Sequence, residues 1–171
     1  MLAGALMAGA TPAIAHTQSP QGADPTPSSQ DAVGTSRLKN LKSGKYLQPV
    51  STANGAKVVQ QSRDADNYLQ SWSTVTYDGH YTFENFKSGL NLGIDGASSA
   101  VGAAAITAKG SSDRNQDWLR DYTPYDGDYF RLINRKSALC LGISGASTAN
   151  GAQAAQFPCD GSANQGWVDA E

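Results

Sequence analysis

No run of 18 or more consecutive apolar residues occurs in these 171 residues, so no segment is long and apolar enough to cross a bilayer as a helix. Charge is scarce too, at 16% of residues. Leaving out residues 1–36 removes Asp24 and Asp31 and no base, so 13 Lys plus Arg face 13 Asp plus Glu. A domain of zero net charge has no electrostatic footprint for nucleic acid or an anionic membrane surface, and neither partner is expected. Histidine is limited to His16 and His80, neither beside a candidate nucleophile. The segment Gly142-Ile-Ser-Gly-Ala146 looks like a nucleophile elbow but lacks the final Gly. No pair of carboxylates stands out from turn chemistry. No catalytic residue is therefore assigned, and an enzyme is not expected. Cys140 and Cys159 are the two cysteines, with no His-rich or Cys-x-x-Cys spacing around them, so no metal site and no cofactor are expected.

What is present is glycine, 18 residues of it, in a chain only 39% hydrophobic. That composition suits short strands and many turns better than long helices. The N-terminal 36 residues read differently. Met1–Ala15 is apolar and ends in Ala13-Ile14-Ala15, the small-x-small pattern cut by signal peptidase. No Lys or Arg precedes Arg37, so this expected signal peptide is truncated at its N-terminus. Residues 16–36 are rich in Pro, Ser, Thr and Gln and carry almost no large apolar side chain. Such a segment buries too little surface to offset its ordering entropy and is expected to be a flexible linker. Export to the extracellular space follows, and there an even cysteine count suggests a disulfide.

Residues 37–171 repeat themselves three times, over about 37–76, 81–122 and 129–171. Asn40-Leu-Lys-Ser-Gly-Lys-Tyr-Leu47, Asn85-Phe-Lys-Ser-Gly-Leu-Asn-Leu92 and Asn134-Arg-Lys-Ser-Ala-Leu-Cys-Leu141 align. Ser51-Thr-Ala-Asn-Gly-Ala56 and Ser147-Thr-Ala-Asn-Gly-Ala152 match, with Ser98-Ser-Ala-Val-Gly-Ala103 between them. Each unit closes on Gln-x-Trp: Gln70 and Trp72, Gln116 and Trp118, Gln165 and Trp167. Tryptophan supplies an apolar body for a shared core, and glutamine brings donors and an acceptor to tie backbones, so these six residues are read as structural. Tyr77-Asp-Gly-His-Tyr81 and Tyr125-Asp-Gly-Asp-Tyr129 mark tight turns at the unit junctions. Asp126 and Asp128 suggest no calcium site, because His80 takes the second acidic place in the matching turn. About four short strands per unit, in the third near 129–134, 139–144, 152–157 and 165–169, predict an all-β fold that closes into a threefold barrel.

Three Gln-x-Trp units in register, two of them preceded by Asn, resemble the ricin B-chain lectin family over roughly 37–171. The resemblance implies a β-trefoil with shallow sugar sites, carbohydrate as the partner, and a targeting role beside a separate glycoside hydrolase if the chain serves catalysis at all. It also implies a disulfide between Cys140 and Cys159, whose Leu-Cys and Pro-Cys settings match the family's. A family site needs an Asp after the Leu of the second strand, an aromatic platform on the third strand, and an Asn before the Gln of Gln-x-Trp. Here the Asp positions are Gln48, Gly93 and Gly142, the platforms Gln61, Ala108 and Phe157, and the Asn positions Leu69, Asn115 and Asn164. The third unit ranks first, through Phe157 and Asn164 with Gln156 adding a bond. Asp95 or Ser144 is the stand-in for the missing carboxylate, and Asp95 with Asn115 forms the next site. The sugars expected are galactose-type or plant and microbial polysaccharides. The alternative is a trefoil used for protein contact or protease inhibition, with degenerate sugar positions. N-terminal sequencing of the protein recovered from culture medium is expected to begin at His16, and an intact Met1 there contradicts the export signal.

Overall fold

The computed structural model describes Met1 and residues 31–171, with side chains from residue 34 onward. Positions 2–30, which hold nearly all of the expected signal and most of the expected linker, lie outside the described residues. Twelve strands follow in three sets of four. The first unit holds β1 (Asp31–Asn40), β2 (Tyr46–Pro49), β3 (Ala56–Gln61) and β4 (Trp72–Tyr77). The second holds β5 (His80–Asn85), β6 (Leu90–Ile94), β7 (Ala105–Ala108) and β8 (Trp118–Asp121). The third holds β9 (Phe130–Asn134), β10 (Cys140–Ile143), β11 (Ala154–Phe157) and β12 (Gly166–Ala170).

The outer strands of the units close a barrel: β1 pairs β4, β4 pairs β5, β5 pairs β8, β8 pairs β9, β9 pairs β12, and β12 returns to β1. The inner pairs β2–β3, β6–β7 and β10–β11 form three hairpins that join one another at one end. This is a β-trefoil. Its core holds Trp72, Trp118 and Trp167, all fully buried, with Leu38, Phe83 and Leu132 from the strands that open the units. Each indole nitrogen donates to the carbonyl of the Leu on the unit's second strand: Trp72 to Leu47, Trp118 to Leu92, Trp167 to Leu141, all at 3.0–3.1 Å. The polar edge of each Trp is thereby satisfied where its ring is buried.

Two boundaries differ from the sequence expectation. The strand β1 starts at Asp31, so residues 31–36 are not linker; Thr35 and Ser36 pair with Ser73 and Trp72 of β4. Backbone hydrogen bonding to an open barrel strand recruits them without requiring apolar side chains. At the second junction Gly127 takes a positive φ in a turn, but that turn sits within a longer connection. Asp78-Gly79 joins β4 to β5 directly, whereas residues 122–129 form a longer loop in which Pro124 cannot extend the β8 ladder.

The threefold pattern breaks informatively at the hairpin ends. Gln60, fully buried, donates Nε2 to the Ser147 and Ala149 carbonyls at 2.9 Å, and accepts from Ser43 Oγ. Gln156 repeats this toward Ser98, Ala100 and Ser137. The second unit has Thr107 there, too short to reach, and its Oγ1 is buried without a partner. Thr107→Gln is expected to restore the bridge to Ser51 and Ala53 and add about 1 kcal/mol. That is a rise in Tm of roughly 2–4 °C at this size. A lower Tm would show that the cleft beside position 107 cannot hold the amide.

Candidate functional site

In every unit the segment after the third strand returns to the second strand through a 3₁₀ turn, and the Gln of Gln-x-Trp holds it there. Gln165 accepts from Asp160 N at 3.2 Å and donates to the Pro158 carbonyl at 2.9 Å. Gln116 does the same with Ser111 N and the Lys109 carbonyl, and Gln70 with Asp64 N and the Ser62 carbonyl. In the third unit Cys140 and Cys159 are disulfide-bonded, with Cα atoms 5.1 Å apart, which ties this segment to β10 a second time. Closing a loop of 19 residues stabilises by about 3 kcal/mol in the chain-entropy picture.

Between these braces lies a cavity of about 340 Å³, lined by Phe157 and Pro158 on one side, Asp160 and Asn164 on another, and Gly145 and Ala146 at its lip. Phe157 and Asn164 both line this one cavity. Phe157 is half-buried at the end of β11. Asn164 accepts from Ser162 Oγ at 2.6 Å, while its Nδ2 faces the Ile143 carbonyl at 3.4 Å.

Gln156 is a correction. It is fully buried and its amide is spent on Ser98, Ala100 and Ser137, so it cannot meet a ligand beside Phe157. Adjacent residues on a strand point to opposite faces, and Gln156 faces the neighbouring unit. Ser144 does not line the cavity; its backbone N–H donates to the Gln153 carbonyl. In the second unit Asp95 is exposed on the 3₁₀ turn Asp95–Ala97, while Asn115 is buried and donates to the Ile94 carbonyl at 3.0 Å. With Ala108 at the platform, that unit assembles no ring against its amide.

A carboxylate from the loop after β11 also lines this cavity. Asp160 stands exposed on the cavity wall, and its Oδ1 accepts from the Ser162 backbone N–H at 2.9 Å. The Ser162 hydroxyl and backbone N–H hold its carboxyl below the ordinary carboxylate value. Tyr125, from the loop between β8 and β9, props this segment by donating its hydroxyl to the Ser162 carbonyl at 3.0 Å. Asp160 directly follows the disulfide-bonded Cys159, and nothing in the repeat pattern singles it out.

The absence of Asp at positions 93 and 142 is itself built into the packing. A Cβ on Gly142 would lie 3.0 Å from Gln165 Cγ and 3.3 Å from Asn164 Nδ2, and one on Gly93 2.9 Å from Gln116 Cγ. Gln48 is accommodated in the first unit, where Asp66 lengthens the segment by one residue and Gln70 donates to Gln48 Oε1 at 3.0 Å.

Comparison with known proteins agrees with this architecture. The profile of the family described as ricin-type β-trefoil lectin domain-like matches residues 26–108 and 114–170. No curated protein matches the chain. Among solved structures, a designed threefold symmetric protein, ThreeFoil, is 32% identical with a TM-score of 0.76, over 80% of this chain and 98% of that one. An exo-β-1,3-galactanase from Clostridium thermocellum is 26% identical with a TM-score of 0.77; it covers 83% of this chain, which spans only 31% of that enzyme. A ricin B-like lectin from Macrolepiota procera, solved with lactose, shares the fold at 19% identity and a TM-score of 0.71, over 85% of this chain and 99% of that one.

Gly142→Asp restores the residue type of the family pattern yet is expected to destabilise by about 1–3 kcal/mol, because Gln165 has to leave its brace. Thermal melts check it; an unchanged or higher Tm means the segment yields freely.

Proposed function

We propose, from the fact that this chain belongs to the ricin-type β-trefoil lectin domain-like family, that it is a non-catalytic carbohydrate-binding module whose principal sugar site is the third-unit cavity. One observation carries the assignment: a ring, a carboxylate and an amide, Phe157, Asp160 and Asn164, line one shallow cavity on a doubly braced segment. The Phe157 ring offers a flat apolar face for the C–H side of a pyranose. Asp160 accepts from neighbouring hydroxyls as charge-assisted hydrogen bonds, and Asn164 adds a directional contact. Because Asp160 enters from the loop rather than from β10, it meets the sugar from a different direction than a strand carboxylate at position 142 would.

Galactose-type units, in glycans or plant and microbial polysaccharides, are the proposed ligands. The 26% identity to a galactanase module supports that class. It also supports action beside a separate glycoside hydrolase. The disulfide between Cys140 and Cys159 supports an exported, extracellular protein.

A glycan array, followed by calorimetric titration of the ligand it selects, tests the reading. Phe157→Ala and Asp160→Asn are each expected to weaken binding at least tenfold; losing a charged acceptor costs about 1.5–3 kcal/mol. Since the Asp160 carboxyl is held below its ordinary value, binding is expected to be lost on acidification at a lower pH than an ordinary carboxylate would set. A folded protein that binds no glycan, or one whose binding ignores both substitutions, overturns the assignment and favours protein contact.

A further inference from the structure

A second cavity, of about 460 Å³, opens beside the β4–β5 hairpin at the junction of the first and second units. Its floor is Glu84 of β5 and Asn91 of β6, Tyr77 stands at its rim, and Ser111 and Arg114 face them from the following segment. The Asn91 amide donates to Gln116 Oε1 at 3.1 Å, which fixes its plane and leaves Oδ1 without a partner among the described residues. Glu84 and Arg114 are exposed, and neither forms an ion pair among the described residues. Arg135 closes one end, held by Asp78 at 3.1 Å and Asp117 at 3.5 Å. Glu84 and Asp117 thus balance Arg114 and Arg135, and the lining carries no net charge. Tyr77 is 61% exposed, a large ring left in water.

The other two junctions are covered. Between the second and third units, Tyr125 bonds the Ser162 carbonyl, and Pro124 lies beside Gly161, where an added Cβ would meet its ring at 3.6 Å. Between the third and first, Arg37 reaches the Ala65 carbonyl at 2.8 Å, and Arg63 reaches the Glu171 carbonyl at 3.3 Å. Only the two-residue turn Asp78-Gly79 is too short to fold over its cleft.

We infer that this cleft is a second saccharide site, taking one neutral hexopyranose unit, so that the chain grips a polysaccharide at two points. The inference rests on the carbohydrate reading above. A neutral ligand suits the balanced lining. Glu84 accepts from vicinal hydroxyls, Arg114 donates to a ring or hydroxyl oxygen, the Asn91 oxygen accepts, and Tyr77 stacks on the C–H face. The volume lies within the range of small-molecule clefts. Two sites on one rigid body raise the effective concentration of the second contact once the first is made, a gain open to polymers and closed to monosaccharides.

Nuclear magnetic resonance titration of the ¹⁵N-labelled full chain with lactose, galactotriose and cellotriose tests it. Two groups of signals are expected to move: those of Asn164 and Gly161, and those of the Asn91 side-chain amide, Arg114 and residues 110–112. Tyr77→Ala and Glu84→Gln are each expected to weaken the second response at least tenfold and leave the first unchanged; both side chains are exposed, so the fold survives. Movement of the Asn164 group alone overturns the second site and leaves the proposed function standing. Movement of the second group that neither substitution alters also overturns it, and movement of neither group overturns both readings.

Discussion

The glutamine two residues before each core tryptophan governs this molecule. Its amide spans the segment that follows the third strand, accepting from one backbone N–H and donating to one carbonyl, while the tryptophan beside it is locked into the core by a bond to the second strand. A buried amide with partners on both sides costs little to bury and much to disturb, because removing it orphans two backbone groups. The same turns are also gripped by the asparagine that opens the next unit. Asn40 donates to the Asn164 and Gly166 carbonyls, Asn85 to Leu69 and Ser71, and Asn134 to Asn115. Since Asn40 belongs to the first unit and Asn164 to the last, this bond closes the ring of units.

Rigidity of that segment is what a shallow sugar site requires. A ring that stacks and a carboxylate that accepts two hydroxyls must be in place beforehand, because a small contact area leaves little free energy for ordering them. The third unit has three fixtures the others lack in combination: the disulfide, the Tyr125 prop and a ring at the platform position. The first has Gln48 bonded to Gln70 and Gln61 at the platform position, and the second has Ala108 and a buried Asn115. Threefold symmetry of the scaffold therefore coexists with strong asymmetry of chemistry.

Much of this was legible in the sequence, for definite reasons. The spacing of Gln-x-Trp and of the Asn-x-Lys-Ser turns reports the scaffold directly, since those side chains have backbone partners dictated by the fold. The strands of the third unit lie within about two residues of the expected positions. Illegible features were those decided by direction rather than identity. Gln156 and Phe157 are neighbours in sequence but face opposite sides of β11, so a list of polar residues near the platform includes one that serves the adjoining unit. Asp160 was hidden because it reaches the cavity from a loop and not from a strand, which no residue-by-residue correspondence detects. The start of β1 at Asp31 was hidden because backbone pairing leaves no apolar signature. The open cleft at Tyr77 depends on a difference in loop length between junctions, and only the folded chain shows what the longer loop covers.

The barrel at one end, charged over its aromatic core by Arg120, illustrates how far the units have diverged without losing the fold. Its guanidinium lies 4.6 Å from the Tyr81 ring centre and 4.5 Å from that of Phe130, and pairs with Asp169, at the matching position of the third unit. Thr74 fills the same position in the first. A scaffold that tolerates Thr, Arg and Asp at one repeated position is equally compatible with a sugar site at the third unit's platform and not at the other two, as proposed above. The most direct measurement of that claim is a crystal structure of the protein with the glycan it binds best. The account predicts a pyranose with its C–H face on Phe157 and two hydroxyls within hydrogen-bond distance of the Asp160 carboxylate. Density for the sugar against Asp95 and Asn115, with the Phe157 cavity empty, would contradict it.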